Sequence, residues 1–283
     1  TPIILCRIFP SSASKKRPAD KIQQVNAIYE ATVKGDPQVT VVDTWTLYAT
    51  AEGDANPKLF PDLLHLNAEG YKTWASALRP VFATLGFLET KPAPFTPDAG
   101  FTSLFNGKDL TGWGFRVTPP RKQPRKPRPN APVFVEIKED ISFDGKKQSS
   151  DGRYQAIHGK LVVTTPAEGR RMQQLWTTAE FGGNFILKLQ FRATPNADSG
   201  VFIRKPQLQC RDYLLAGPYT DLKKYRAQDW NNLVVTVTNG IAHATCNGEL
   251  LTDKMAVPAS GPIGLEGDRG QMEYRHIQLK QLP

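Results

Sequence analysis

The chain has 283 residues, enough for two domains at roughly 100–200 residues each. Its 36 Lys and Arg outnumber 27 Asp and Glu for a formal net charge of +9, and with 40% hydrophobic and 22% charged residues it can fill ordinary cores, which excludes wholesale disorder. The sequence has no apolar run near the roughly 18–20 residues of a membrane span. Its three cysteines (Cys6, Cys210, Cys246), without any Cys-x-x-Cys or His-x3-His spacing, exclude a disulfide framework, a zinc finger and an iron–sulfur site.

Ile3–Ile8 reads as a buried strand, and the sequence starts with it directly, with neither Met nor a basic leader. This is the pattern of a stretch from inside a longer chain, with any targeting signal outside it. A helix is expected from about Asp20, with Ile22, Val25, Ile28, Tyr29, Thr32 and Val33 on its inward face. Val39–Asp43 reads as a second strand. Asn67 is expected to cap a helix that turns Tyr71, Trp74, Ala75, Leu78 and Phe82 inward and kinks or tightens near Pro80. Strand–helix–strand–helix is the rhythm of a parallel α/β sheet, but two strands make only part of one.

Residues 89–98, with Pro92, Pro94 and Pro97, read as a semi-rigid linker. Beyond it the period becomes two: Val133–Ile137, Leu161–Thr165, Phe185–Arg192, Gly200–Arg204, Leu233–Thr238, Ile241–Cys246 and Tyr274–Leu279. Turn signals such as Asn239-Gly240 and Asn247-Gly248 separate several of these runs, the pattern of an antiparallel jelly-roll sandwich over 99–283. Residues 1–88 hold 9 basic and 8 acidic residues, so the charge excess lies in the second part. It concentrates at Arg116, Arg121, Lys122, Arg125, Lys126 and Arg128, among prolines. The prolines make 118–132 an extended basic insertion. It reads first as a solvated loop inserted into the β domain; as a binding patch it would fit an anionic polymer, and without aromatic residues to stack on bases it is a poor nucleic-acid site.

The sharpest local signal is Asp62-Leu63-Leu64-His65-Leu66-Asn67-Ala68-Glu69-Gly70-Tyr71. An Asp three residues before a His, on a loop entering a helix, can hold the imidazole and stabilise its charged form while the ring acts as base. On these residues the first 88 positions resemble the closing block of the SGNH (GDSL-type) hydrolases, with Leu63 where the family has Gly. The resemblance implies a flavodoxin-like α/β fold, with Asp62 and His65 as acid and base of an esterase. The family's serine, in a Gly-Asp-Ser block, and its oxyanion Gly and Asn are absent from this sequence, so the segment by itself is expected to lack esterase activity.

The second part carries Phe101-Thr102-Ser103-Leu104-Phe105-Asn106-Gly107-Lys108-Asp109-Leu110-Thr111-Gly112-Trp113, then Leu175-Trp176-Thr177, Asp198-Ser199-Gly200-Val201-Phe202-Ile203-Arg204, and Gly261-Pro262-Ile263-Gly264-Leu265-Glu266. In that order the phrases resemble the 3-keto-disaccharide hydrolase domain, a concanavalin-A-like jelly roll of secreted or periplasmic bacterial proteins. The resemblance implies cleavage of sugars oxidised at C3. The ketone acidifies the C2 hydrogen, so a base, an acid and a cationic group or metal that holds the enolate are needed. The family's two strand Glu positions are occupied by Gln190 and Gln207, neither of which titrates.

The carboxylates left for that work are Asp212, Asp198, Glu266 and Asp268. Asp212 is the preferred base and Arg204 the preferred electrophile, with Gln190, Gln207, Gln209, Asp198, Glu266, Asp268, Arg269 and Tyr213 as substrate-binding candidates. Trp113 and Trp176 are further stacking candidates. His158 reads as a hairpin residue, and His243 and His276 have no spaced partner. No cofactor or His metal site is expected, although a divalent metal at the sandwich site stays open. The alternative is a carbohydrate-binding module without catalysis, attached to an esterase.

Overall fold

The computed structural model describes residues 2–34, 36, 38–88, 94–118, 136–164, 173–215, 219 and 221–283. Most of the basic insertion, residues 89–93 of the linker, and Val133–Val135 of one expected strand lie outside them.

In the first part, β1 (Ile3–Cys6) runs parallel to β2 (Val39–Val42), with Ile3 opposite Val39, and α1 (Ala19–Thr32) crosses between them. Asp43 caps the short α2 (Thr44–Tyr48) by accepting from the Thr46 backbone N–H at 3.0 Å. Asn67 caps α3 (Ala68–Thr84) as expected, accepting from Gly70 N–H at 2.9 Å, and the helix continues through the buried Pro80. Tyr48, Ala55 and Phe60 form a small core with Phe9 and Trp74 against them.

The helix faces differ from the expectation. In α1, Ile22 is buried, but Val25, Ile28 and Tyr29 are exposed, Ile28 by 62%. The second buried residue is Asn26, whose side-chain oxygen accepts from Ile8 N–H at 2.7 Å. A polar anchor to the chain after β1 therefore sets the helix rotation, and the apolar stripe is left outside. In α3 the buried residues are Gly70, Ala77, Pro80, Val81 and Ala83, while Tyr71 and Ala75 are exposed.

The second part is a β-sandwich. Its strands are β3 (Thr102–Ser103), β4 (Trp113–Phe115), β5 (Ile141–Ser142), β6 (Tyr154–Ile157), β7 (Lys160–Thr164), β8 (Leu175–Thr177), β9 (Phe185–Ala193), β10 (Gly200–Ile203), β11 (Gln207–Gln209), β12 (Asn231–Thr238), β13 (Ile241–Cys246), β14 (Glu249–Ala256), β15 (Ile263–Leu265) and β16 (Gln271–Gln281). One sheet has the order β14-β13-β12-β9-β16-β7-β6 with β3 on β16, and the other the order β11-β10-β15-β8-β4-β5. Phe185, Leu187, Leu189 and Phe191 of β9 and Leu233, Val235 and Val237 of β12 alternate inward to meet Val201, Ile203, Ile263 and Leu265 of the smaller sheet in one core. Ile137 itself lies in no strand. Its carbonyl accepts from Thr118 N–H at 2.9 Å in a loop pairing.

The two parts touch through side chains. Thr84 at the end of α3 donates to Glu273 on the outer face of the larger sheet at 2.7 Å, and Asn196 donates to Asp43 at 3.0 Å.

Candidate functional site

The smaller sheet turns a face outward that its sequence has kept flat. Phe202, Gln207 and Gln209 point outward between core residues Val201, Ile203 and Leu208, and Trp176 points outward between Leu175 and Thr177. Gly264 lies beneath the Trp176 indole, where a Cβ would come within 2.6 Å of the ring. Gly200 likewise lies beneath the Gln207 side chain, 2.2 Å from its amide nitrogen by the same measure. Two long side chains can thus lie along the sheet because the neighbouring strand offers only hydrogen there. Phe202 extends the platform, 5.4 Å from Trp176 between ring centroids.

Glu266 follows β15 at the edge of this platform. Its backbone N–H donates to Gly200 O at 3.0 Å, and its carbonyl accepts from the Ser199 hydroxyl. One carboxylate oxygen accepts from Gln174 Nε2 at 3.1 Å and the other from Gln207 Nε2 at 2.6 Å, while the Gln207 carbonyl oxygen accepts from Gln209 at 3.4 Å. The residue is 2% exposed. Burial pushes the carboxyl above its usual range, and the charges of Asp268 and Asp198 add to that, while Gln174 and Arg153 oppose it. Asp198 is held by Arg211 at 3.1 Å and more loosely by Arg269 at 3.9 Å. Asp268 and Arg269 both donate backbone N–H bonds to Asp198 O at 3.0 Å.

The structure therefore brings Gln207, Gln209, Asp198, Glu266, Asp268 and Arg269 together. It sets the other sandwich candidates apart. Asp212 is wholly enclosed at one end of the sandwich, accepting from Asn196 N–H, the Tyr225 hydroxyl and Gln228 Nε2, and burial pushes it up to about 6. No substrate atom can approach it there. Arg204 spends its guanidinium on three backbone carbonyls, of Phe181, Pro258 and Gly183, and so clamps loops together. Tyr213 is a core residue donating to Gln209 O, and Trp113 is a core residue donating to Leu104 O. Gln190 lies on the outer face of the other sheet, between Asn232 and Arg275.

Two polar residues of the cluster escaped sequence reasoning. Gln174 stands just before the Leu175-Trp176-Thr177 phrase, and its position opposite Glu266 follows from the β8–β15 register. Arg153 follows a Gly in a turn and carries no motif; only the fold brings it to Glu266.

In the first part, Asp62 and His65 do meet. His65 Nδ1 lies 2.7 Å from Asp62 Oδ2, and Asp62 Oδ1 accepts from the backbone N–H of both Leu64 and His65. These bonds, the imidazole's first, hold the carboxyl well below its ordinary range. The pair is exposed on the loop before α3. Ser11, which is nearby, donates its hydroxyl to Leu63 O instead.

A family model described as a 3-keto-α-glucoside-1,2-lyase-like domain matches residues 100–280, well over half of the chain. The chain belongs to that family. This makes the sandwich a carbohydrate-active, hydrolase-like domain; the match starts after the α/β part. No curated protein matches the chain in sequence. Among solved structures, a candidate glycosyl hydrolase from Parabacteroides distasonis is similar at 16% identity and TM-score 0.43, covering 65% of this chain and 94% of that one. The carbohydrate-binding module CBM66 from Bacillus subtilis is similar at 7% identity and TM-score 0.35, covering 62% and 98%. A β-1,3-glucanase from Mycobacterium marinum is similar at 9% identity and TM-score 0.36, covering 65% and 98%.

No helix among the described residues is long and apolar enough to cross a membrane. Among the same residues, no group of three or more His, Cys, Asp and Glu is placed to hold a metal ion.

Proposed function

We propose that the sandwich cleaves glycosides oxidised at C3, with Glu266 as its proton-transfer group and the Trp176–Phe202 platform as the surface on which the sugar rests. The supporting observation is Glu266 itself, a buried carboxyl at the platform's edge whose pKa is shifted toward neutrality, as a general base requires. Glu266 takes the C2 proton, and the electron pair of that C–H bond forms the enolate of the C3 ketone. The enolate then breaks the bond between C1 and the anomeric oxygen as the C1=C2 bond forms, and the departing aglycone oxygen takes the proton that Glu266 accepted, which restores the carboxylate. Water then adds across that bond, its oxygen to C1 and a proton to C2. Arg153 is the cation nearest in role to an enolate stabiliser, because its charge already acts on Glu266.

Gln207 has a defined part in this reading. A Glu at that position would put a second carboxylate against Glu266 at hydrogen-bond distance, and the two would share a proton. The amide donates instead and leaves Glu266 as a single base.

Glu266→Gln is expected to lower turnover of a 3-keto-glucoside by about 10²–10⁴-fold while sugar binding persists. Unchanged turnover overturns the assignment. The second reading, a binding module without catalysis, is favoured by the same flat aromatic face. It would be established by calorimetric binding of sugar with no release from the unaltered protein at any pH.

For the α/β part we propose that Asp62 and His65 are the acid and base of an SGNH-type esterase site, with Asp62 orienting the ring through Nδ1. His65 meets no serine hydroxyl among the described residues, so this chain is expected to leave an activated acetyl ester intact. Ester turnover that disappears in His65→Ala would refute that. Following the family, we place the protein outside the cytoplasm, acting on glycans.

A further inference from the structure

The strand register of the smaller sheet puts one outward residue from each strand on a single row: Gln207, Phe202, Gly264, Trp176, Gly114 and Ser142, on β11, β10, β15, β8, β4 and β5. With neighbouring strands about 4.8 Å apart, its five gaps span about 24 Å, which is longer than a disaccharide. Glu266 directly follows β15, the third strand of the six, with its carboxylate between Gln207 and Gln174, and the three gaps from β15 to β5 leave about 14 Å for further rings. At the β5 end lies a cavity of about 200 Å³ whose walls include Trp176, Arg116, Asp140, Ser142 and Thr178. Trp176 borders both regions, because its ring also covers Gly264.

We infer that this cavity holds the third ring of a linear glycan, with the reacting ring at Glu266 and the second across Trp176. The inference rests on Glu266 as the reacting centre and adds to it a substrate of at least three sugar units. The wall chemistry suits a neutral sugar. Trp176 offers an apolar face for ring C–H groups, and the exposed Ser142 and Thr178 hydroxyls offer polar contacts at the rim. Arg116 is no loose cation for a phosphate, since Glu180 pairs with it at 2.7 Å and the carbonyls of Thr177 and Thr178 accept from it at 3.1 Å. Its Nε is nevertheless buried with no hydrogen-bond partner among the described residues, a donor left at the cavity wall.

The test is calorimetric binding of two series of increasing length, methyl glucoside, maltose and maltotriose, and methyl glucoside, cellobiose and cellotriose. Each is used both plain and with its terminal ring oxidised at C3. In one linkage series the trisaccharide should bind at least about ten-fold more tightly than the disaccharide. Ser142→Trp and Thr178→Trp fill the cavity from its exposed rim. Each should bring the trisaccharide down to the disaccharide's affinity while the disaccharide stays within about two-fold. Equal affinity of the two lengths in the unaltered protein, or an advantage that survives both substitutions, overturns the inference. Turnover of the oxidised forms is scored separately. A length advantage without turnover refutes the hydrolase and leaves the third-ring site standing, whereas no binding of any sugar refutes both.

Discussion

Asp212 and Glu266 are both buried carboxyls whose pKa burial raises, and only their surroundings distinguish a structural acid from a reacting one. Asp212 has donors on every side and no open approach; Glu266 has two amide donors and an open platform beside it. In sequence Asp212 was the preferred base, but which way its side chain faces cannot be read from the residues around it. Its raised pKa has a thermodynamic consequence. The folded protein binds the Asp212 proton up to about pH 6, whereas an unfolded aspartate releases it near pH 4. Between those values the folded state holds more protons, so stability falls as pH rises through the window and the loss is complete above it. A shift of about two units corresponds to about 3 kcal/mol. Asp212→Asn keeps the shape without the charge. It should therefore raise the denaturant midpoint at pH 8 by an amount corresponding to as much as about 3 kcal/mol and change it little at pH 4. Chemical denaturation at the two pH values checks this, and an equal effect at both would contradict it.

At the scale of elements, strands with a clear alternation were legible, the four-residue β10 among them, whereas the eight-residue β14, which lacks one, and several of the shortest strands were not. Ile241–Cys246 begins and ends where its alternation does, and Phe185–Ala193 extends one residue beyond the expected end. Strands β4, β5, β6 and β11 have two to four residues, too few for a period of two to stand out. Yet β4 and β11 frame the candidate site, so the platform could not be assembled from sequence alone. Its glycines carry the next prediction. Replacing Gly264 by Ala puts a methyl group 2.6 Å from the Trp176 ring, which must lift. A strand alanine is favoured over glycine by roughly 0.5–1 kcal/mol, and a half-exposed ring can move without opening the core. Those terms nearly cancel, so stability should stay within about 1 kcal/mol of the parent while sugar affinity falls about ten-fold. Thermal melting and calorimetry on the same sample separate the two, and retained affinity would show that the sugar does not rest on Trp176.

At the scale of the whole molecule, Glu273 joins the two parts. Its carboxylate, 1% exposed, accepts from Arg192 at 2.8 and 2.5 Å, from Lys160 at 3.3 Å, from Gln271 at 3.2 Å and from Thr84 of α3 at 2.7 Å. Burial lowers the Lys160 pKa while the Glu273 charge raises it, so the carboxylate is what keeps two enclosed cations tolerable. Glu273→Gln leaves Arg192 and Lys160 facing each other without a counter-charge and should cost about 3–5 kcal/mol. Thr84→Val removes two hydrogen bonds, the donation to Glu273 and the acceptance from Gln271 Nε2, each worth about 0.5–1.5 kcal/mol, and leaves the ion network in place. Amide hydrogen exchange distinguishes the two effects. Thr84→Val should speed exchange in α3 and leave β9 and β16 at parent rates, whereas Glu273→Gln should speed all three. If Thr84→Val leaves α3 as protected as in the parent, the helix is held by its own small core of Tyr48, Ala55 and Phe60, and the contact with the sandwich adds nothing to its stability.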